Sequence, residues 1–106
     1  MDIMGMMKKA QAVQAKLQEA QEELGRLEVE GQAGGGMVRL TLSAKGDLKG
    51  VWIDPSLLVP ADKEMLEDLI IAAFTDGKVR ADRVAAEKMQ SLTAGLPLPP
   101  GMKLPF

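Results

Sequence analysis

The chain of 106 residues has no cysteine and no histidine. The missing cysteine excludes disulfide bonds and thiolate chemistry, and the missing histidine removes the usual general base and the commonest metal ligand. No apolar run approaches the roughly 18 residues that cross a membrane, and the first nine residues lack the apolar segment of a secretory signal. We therefore expect one soluble, cytoplasmic domain over residues 1–106, without catalytic chemistry.

Aromatic residues and net charge are also scarce. The chain has one tryptophan and two phenylalanines, and its formal net charge is -2. This balance argues against a protein that coats nucleic acid by bulk charge, but it leaves room for a local basic patch.

Residues 1–27 carry apolar side chains at alternating spacings of three and four, which predicts a helix over residues 1–26 with one narrow apolar stripe. Such a stripe buries little by itself and needs a partner. We expect this helix to pack partly on its own chain and partly across a dimer. The stripe consists of Ile3, Met6, Ala10, Val13, Leu17, Ala20, Leu24 and Leu27.

The charges of this first helix are segregated. Lys8, Lys9 and Lys16 come early and the glutamates come late, which opposes the helix macrodipole. Three interpretations stay open: a solvated face, a basic end that faces an anion, or antiparallel pairing that sets a lysine end beside a glutamate end.

Residues 27–54 alternate between apolar and polar positions in three short runs, which predicts an antiparallel three-stranded meander. We expect turns at residues 32–36 and 45–47. The glycines at 34–36 lead into a strand, so they do not form a phosphate-binding loop. One apolar face should be covered by a helix; it comprises Leu27, Val29, Val38, Leu40, Leu42, Val51 and Ile53.

Trp52 is predicted on the opposite, polar face, together with Arg39 and Thr41. Two interpretations remain for it. Either the C-terminal tail or a second subunit covers the indole, or the indole is an exposed contact residue, since tryptophan is enriched at binding hot spots.

A second, long helix is predicted over residues 62–92, with Asp62 as a plausible N-cap. Gly77 interrupts it and marks a bend, a close packing contact or a tolerated surface position. Its acidic residues at 64, 67 and 68 have the spacing of a solvated face, so we expect no metal site. Lys78, Arg80 and Arg83 form a second basic group.

Residues 93–106 contain four prolines and cannot form a regular helix. This segment is too apolar for a solvated linker, so we expect an extended tail that docks on the body or on a partner. Its apolar residues are Leu96, Leu98, Met102, Leu104 and Phe106.

Several blocks of the chain resemble the YbaB/EbfC family of bacterial nucleoid-associated proteins. They lie at residues 51–58 (VWIDPSLL), 62–69, 72–76, 7–11 and 98–106. The resemblance implies an α+β subunit of order α-β-β-β-α, a tight homodimer shaped like tweezers, double-stranded DNA binding and a nucleoid location. It also implies no catalysis, no cofactor and no small-molecule substrate.

Two functional hypotheses follow. In the first, a non-enzymatic homodimer binds DNA phosphates with Lys8, Lys9 and Lys16, with the second basic group as a further candidate, and affects gene expression or DNA organisation. In the alternative, a dimeric adaptor binds a protein partner of replication, recombination or repair. The candidate dimer or partner contacts are Leu17, Leu24, Trp52, Leu98 and Phe106.

Overall fold

The computed structural model describes residues 2–94 and confirms the α+β order α-β-β-β-α. The elements are α1 (Ile3–Arg26), β1 (Glu28–Ala33), β2 (Val38–Ser43), β3 (Leu48–Ile53) and α2 (Lys63–Ala94), with short 3-10 turns at Pro55–Leu57 and Pro60–Asp62 before α2. The predicted tail falls outside the described residues, apart from the end of α2. Within residues 2–94, neither helix is apolar enough to cross a membrane.

The sheet is antiparallel, with β2 between β1 and β3. The first turn is shorter than predicted, because Gln32 and Ala33 still belong to β1 and pair with Arg39 and Val38. The turn occupies residues 34–37, and its three glycines all have positive φ angles of 64° to 92°. Only glycine adopts such angles without strain, so the run closes a tight hairpin.

The core lies between α2 and the first two strands. Val38, Leu40 and Leu42 of β2 are buried beneath Ala73 of α2. Leu57 of the first 3-10 turn completes the cluster; Ser56 N–H donates to Asp54 Oδ1 at 2.9 Å and holds that turn closed. Asp54 and Leu57 of the block at residues 51–58 therefore have structural roles.

The helix does not cover the whole predicted apolar face. Leu27 and Val51 remain 43% and 55% exposed. A helix is about 10 Å wide and strands lie about 4.8 Å apart, so one helix covers about two strands. Here α2 lies over β1 and β2; Ile53 at the end of β3 still packs against the core, but Val51 on the inner side of β3 is left open.

Gly31 of β1 and Gly77 of α2 meet where the helix crosses the strand. A Cβ atom added to Gly31 would overlap the carbonyl oxygen of Ala73 and lie 2.5 Å from Gly77 N. One added to Gly77 would lie 2.6 Å from Leu42 Cδ1. Of the interpretations open for Gly77, the structure therefore supports close packing.

The C-terminal half of α1 packs antiparallel on the end of α2. Ala20 and Leu24 form a second buried cluster with Ala44 and Met89, and Glu23 pairs with Lys88. This confirms the expected packing of α1 on its own chain. The N-terminal half of α1 continues past this contact into solvent, with Ile3 69% exposed, and the molecule is 71 Å long but only 23 Å by 16 Å across.

Candidate nucleic-acid interface

The projecting half of α1 carries positive charges only. Residues 3–18 include Lys8, Lys9 and Lys16 and contain no aspartate or glutamate. All three lysine side chains are exposed, and none forms an ion pair with a residue in the range 2–94. Lys9 and Lys16 lie seven positions apart and so share one side of the helix. The amino groups of these lysines are therefore exposed and able to bind an anion.

The second basic group is divided and partly neutralised. Lys78 and Arg80 are two positions apart, so their side chains leave α2 about 200° apart. Lys78 Nζ lies 3.7 Å from Asp82 Oδ1, and Arg80 Nε lies 3.3 Å from Asp76 Oδ2. Arg83 is exposed. The three cations therefore do not form one surface.

Asp76 ties the side of α2 to the outer edge of β1. Its Oδ2 accepts the backbone N–H of Gln32 at 3.0 Å and also faces the guanidinium of Arg80. The hydrogen bond from Gln32 is the main cause that lowers the pKa of Asp76 below its ordinary value, and the charge of Arg80 adds to it. Arg80 therefore shares its charge with Asp76, although its side chain stays exposed.

Trp52 lies on the polar outer face of the sheet, as predicted. It is paired with Arg39 across the strands, and the Arg39 guanidinium carbon lies 5.1 Å from the centre of the indole ring. Trp52 is 47% exposed and lines a shallow depression of about 340 Å³ with Glu30, Thr41 and Gly50. No element within residues 2–94 packs over this face.

The candidate dimer or partner contacts have different surroundings. Leu24 is 3% exposed and packs inside its own chain, while Leu17 is half-buried on α1. Leu98 and Phe106 lie outside the described residues. Leu24 is thus already used for the fold of the subunit.

Sequence reasoning missed an uncovered apolar surface beside β3. Because Asp76 fixes one flank of α2 over β1, Phe74, about 160° away around the helix, lies on the flank toward β3. Ile71 is exposed on the same flank, and Val51 is exposed on the inner side of β3. We call Val51, Ile71 and Phe74 the β3-side surface. The sequence signal for this surface is the set of alternating apolar residues in β3. That pattern predicts that these residues are buried, but it does not show which element covers them.

The described residues hold no cluster of acidic side chains able to bind a metal ion. The subunit is thus a small α+β fold from which residues 3–18 of α1 project with three lysines and no acidic residue; we call this segment the basic arm. The model of the YbaB/EbfC DNA-binding family matches residues 1–96, and the chain belongs to this family. It is a DNA-binding family and not a family of enzymes.

Relatives from several bacteria match almost the full chain. A protein of Methylocella silvestris named nucleoid-associated protein is 60% identical over 99% of this chain and 98% of its own length. A nucleoid-associated protein of Agrobacterium fabrum is 55% identical with the same coverage. The crystal structure of an uncharacterized protein from Helicobacter pylori has a TM-score of 0.69 at 24% identity, covering 89% of this chain and 95% of that one, which shows a shared fold.

Proposed function

We propose that this chain is a non-enzymatic, nucleoid-associated homodimer that binds double-stranded DNA through the lysines of α1 and thereby affects gene expression or DNA organisation. The observation that carries the proposal is the projecting half of α1, which holds three unpaired lysines and no acid. The names of the bacterial relatives support the nucleoid location.

The uneven distribution of charge along the chain makes DNA binding compatible with the negative net charge of the protein. The net charge is -2, yet all acidic residues lie outside residues 3–18, so the arm is positive while the body carries the acidic excess. Lysine contacts to phosphate fix position without reading the base sequence.

The homodimer is supported by the β3-side surface. A subunit in water gains free energy by covering exposed apolar side chains, at about 25 cal/mol for each Å² buried. Val51, Ile71 and Phe74 lie beside a sheet whose helix covers only two strands. A second copy placed there would cover the third strand of each subunit and present two basic arms together.

The electrostatic mechanism is tested by duplex binding over a series of salt concentrations, measured by fluorescence anisotropy. If a dimer engages about six phosphates, the logarithm of the affinity falls with the logarithm of salt with a slope near -5. A flat response would refute the mechanism.

A pair of charge-reversal variants locates the site. Lys8→Glu with Lys9→Glu should weaken binding at least about tenfold and reduce the salt slope, since each lost phosphate contact removes about one unit of slope. Lys49→Glu with Lys63→Glu is the matched control, because both lysines are exposed and lie away from α1. Equal weakening by the two pairs would show that bulk charge, not the arm, governs binding.

The dimer contact is tested by mass in solution with light scattering. Val51→Glu places a charge in the β3-side surface and should shift the protein from dimer to monomer. Val79→Glu is the control, since Val79 is similarly exposed but lies on the opposite flank of α2. A Val51→Glu protein that keeps the dimer mass would move the contact elsewhere.

The outer face of the sheet favours a second candidate function. Trp52 stacked on Arg39 is an exposed aromatic and arginine pair of the kind enriched at protein interfaces. A dimeric adaptor would use it to bind a protein partner of replication, recombination or repair. Trp52→Ala separates the two functions: DNA binding through α1 predicts an unchanged duplex affinity, whereas a role of this face in DNA binding predicts a loss.

A further inference from the structure

A cleft opens where α1 crosses α2 and the turn after β2. Its volume is about 590 Å³, and its floor is apolar. Several of the floor residues are alanines, whose small side chains leave room that larger ones would fill. The floor is formed by Leu24, Ala44, Ala85, Ala86 and Met89.

The nearest unassigned apolar segment is the end of this chain. Residues 95–106 have the sequence GLPLPPGMKLPF, with apolar side chains at almost every second position and no acidic residue. The cleft lies between Gln90 and Asp82 of α2, which at 1.5 Å per residue is about 6 to 18 Å back from Ala94. Twelve residues of a proline-rich extended chain, at about 3.1 Å each, reach about 37 Å, so a chain that reverses after α2 spans the cleft easily.

Local chemistry also favours this occupant. Gly95 follows α2 directly, and glycine is the residue preferred where a chain turns away from a helix end. Lys103 is the only charged side chain after residue 94, and the cleft lining holds one base and one acid, Lys45 and Asp82. The tail and the cleft thus match in length and polarity.

We propose that residues 96–104 dock in this cleft of their own chain and run antiparallel to α2. The docked tail covers the contact between α1 and α2 in which Ala20 and Leu24 are buried. It therefore helps to fix the direction in which the basic arm projects. Tethering favours the same chain, because a short linker raises the local concentration of the tail to the millimolar range.

Disulfide trapping tests the docking in the full chain, which has no native cysteine. Ala86→Cys with Gly101→Cys should form an intrachain disulfide under mild oxidation, because seven extended residues reach about 22 Å and Ala86 lies about 12 Å back from Ala94. Ala72→Cys with Gly101→Cys is the control, since Ala72 lies about 33 Å back and out of reach. Both alanines are exposed, so the substitutions leave the fold intact.

We expect the first pair to react at least about tenfold faster than the control, with the mass of a monomer on a non-reducing gel. Equal rates would overturn the proposal, and a covalent dimer would show that the tail of a second copy, not its own, occupies the cleft. A second measurement uses labelled methionine methyl groups. Leu98→Ser with Leu104→Ser should shift the Met89 resonance and leave that of Met65 at the far end of α2 unchanged; an unmoved Met89 resonance would also overturn the proposal.

Discussion

Replacing Gly31 with alanine is expected to separate the helix from the sheet. The new Cβ atom would lie 2.5 Å from Gly77 N and 2.7 Å from Gly77 Cα. Ordinary contacts between carbon atoms lie at about 3.5 to 4.0 Å, so α2 must rise by about 1 Å. The obstruction is backbone on both sides, so no rotamer change relieves it.

The expected loss of stability follows from the gap that this movement opens between α2 and the sheet. A gap of about 1 Å forfeits between a quarter and a half of the dispersion energy of the contacts across it. Overpacking of this kind costs about 1 to 3 kcal/mol or more, and alanine in a strand recovers about 0.5 to 1 kcal/mol relative to glycine. Because the whole contact between α2 and the buried Leu40 and Leu42 is affected, we expect a net loss toward the upper end of this difference, about 2 kcal/mol.

Thermal and urea unfolding, followed by circular dichroism at one fixed protein concentration, measure this loss. For a domain near 100 residues, about 2 kcal/mol lowers Tm by about 8 to 16 °C. Gly50→Ala is the matched control, since Gly50 also lies in a strand and its added Cβ atom meets only ordinary contacts of 3.7 Å and longer. If Gly31→Ala unfolds within about 2 °C of Gly50→Ala, the close approach of helix and strand is not what the structure indicates.

Two further predictions concern contacts that hold the helices in place. Asp76→Asn should lower the stability of the protein at neutral pH and make the loss of stability in acid shallower. Folding lowers the pKa of the Asp76 carboxyl, so this group stabilises the folded state above its unfolded pKa of about 4. That stabilisation disappears as the pH falls from about 5 toward 3. Urea midpoints at several pH values measure this, and an unchanged acid slope would count against it. Leu24→Ala should cost about 3 kcal/mol and speed amide exchange in α1 but not in β2; uniform exchange would show that α1 does not open separately.

The charge pattern of α1 was open to three interpretations, and the structure separates its two ends. Glu23, at the acidic end, pairs with Lys88 of the antiparallel α2, and this contact lowers the pKa of Glu23. This is the antiparallel arrangement of opposite charges, here within one chain. The lysine end has no such partner among residues 2–94. One helix therefore combines an end that packs into the fold with an exposed basic end.

The sequence by itself determined the elements and excluded the chemistry. Alternating spacings of three and four predict α1, and alternation by two predicts the strands, because both depend only on which side of a local backbone each residue occupies. The absence of histidine and cysteine, together with the blocks shared with a known family, pointed to a DNA-binding protein without catalysis. The basic group on α1 was visible in the same way, since its three lysines are neighbours along one helix.

Only the tertiary structure decided what covers each apolar face. It placed Leu24 against its own α2 and left Val51 open, because one helix spans two strands and not three. It also brought Gly31 and Gly77 into contact and placed Glu23 beside Lys88. These outcomes depend on the distance and angle between elements far apart in the chain, which a local pattern does not contain.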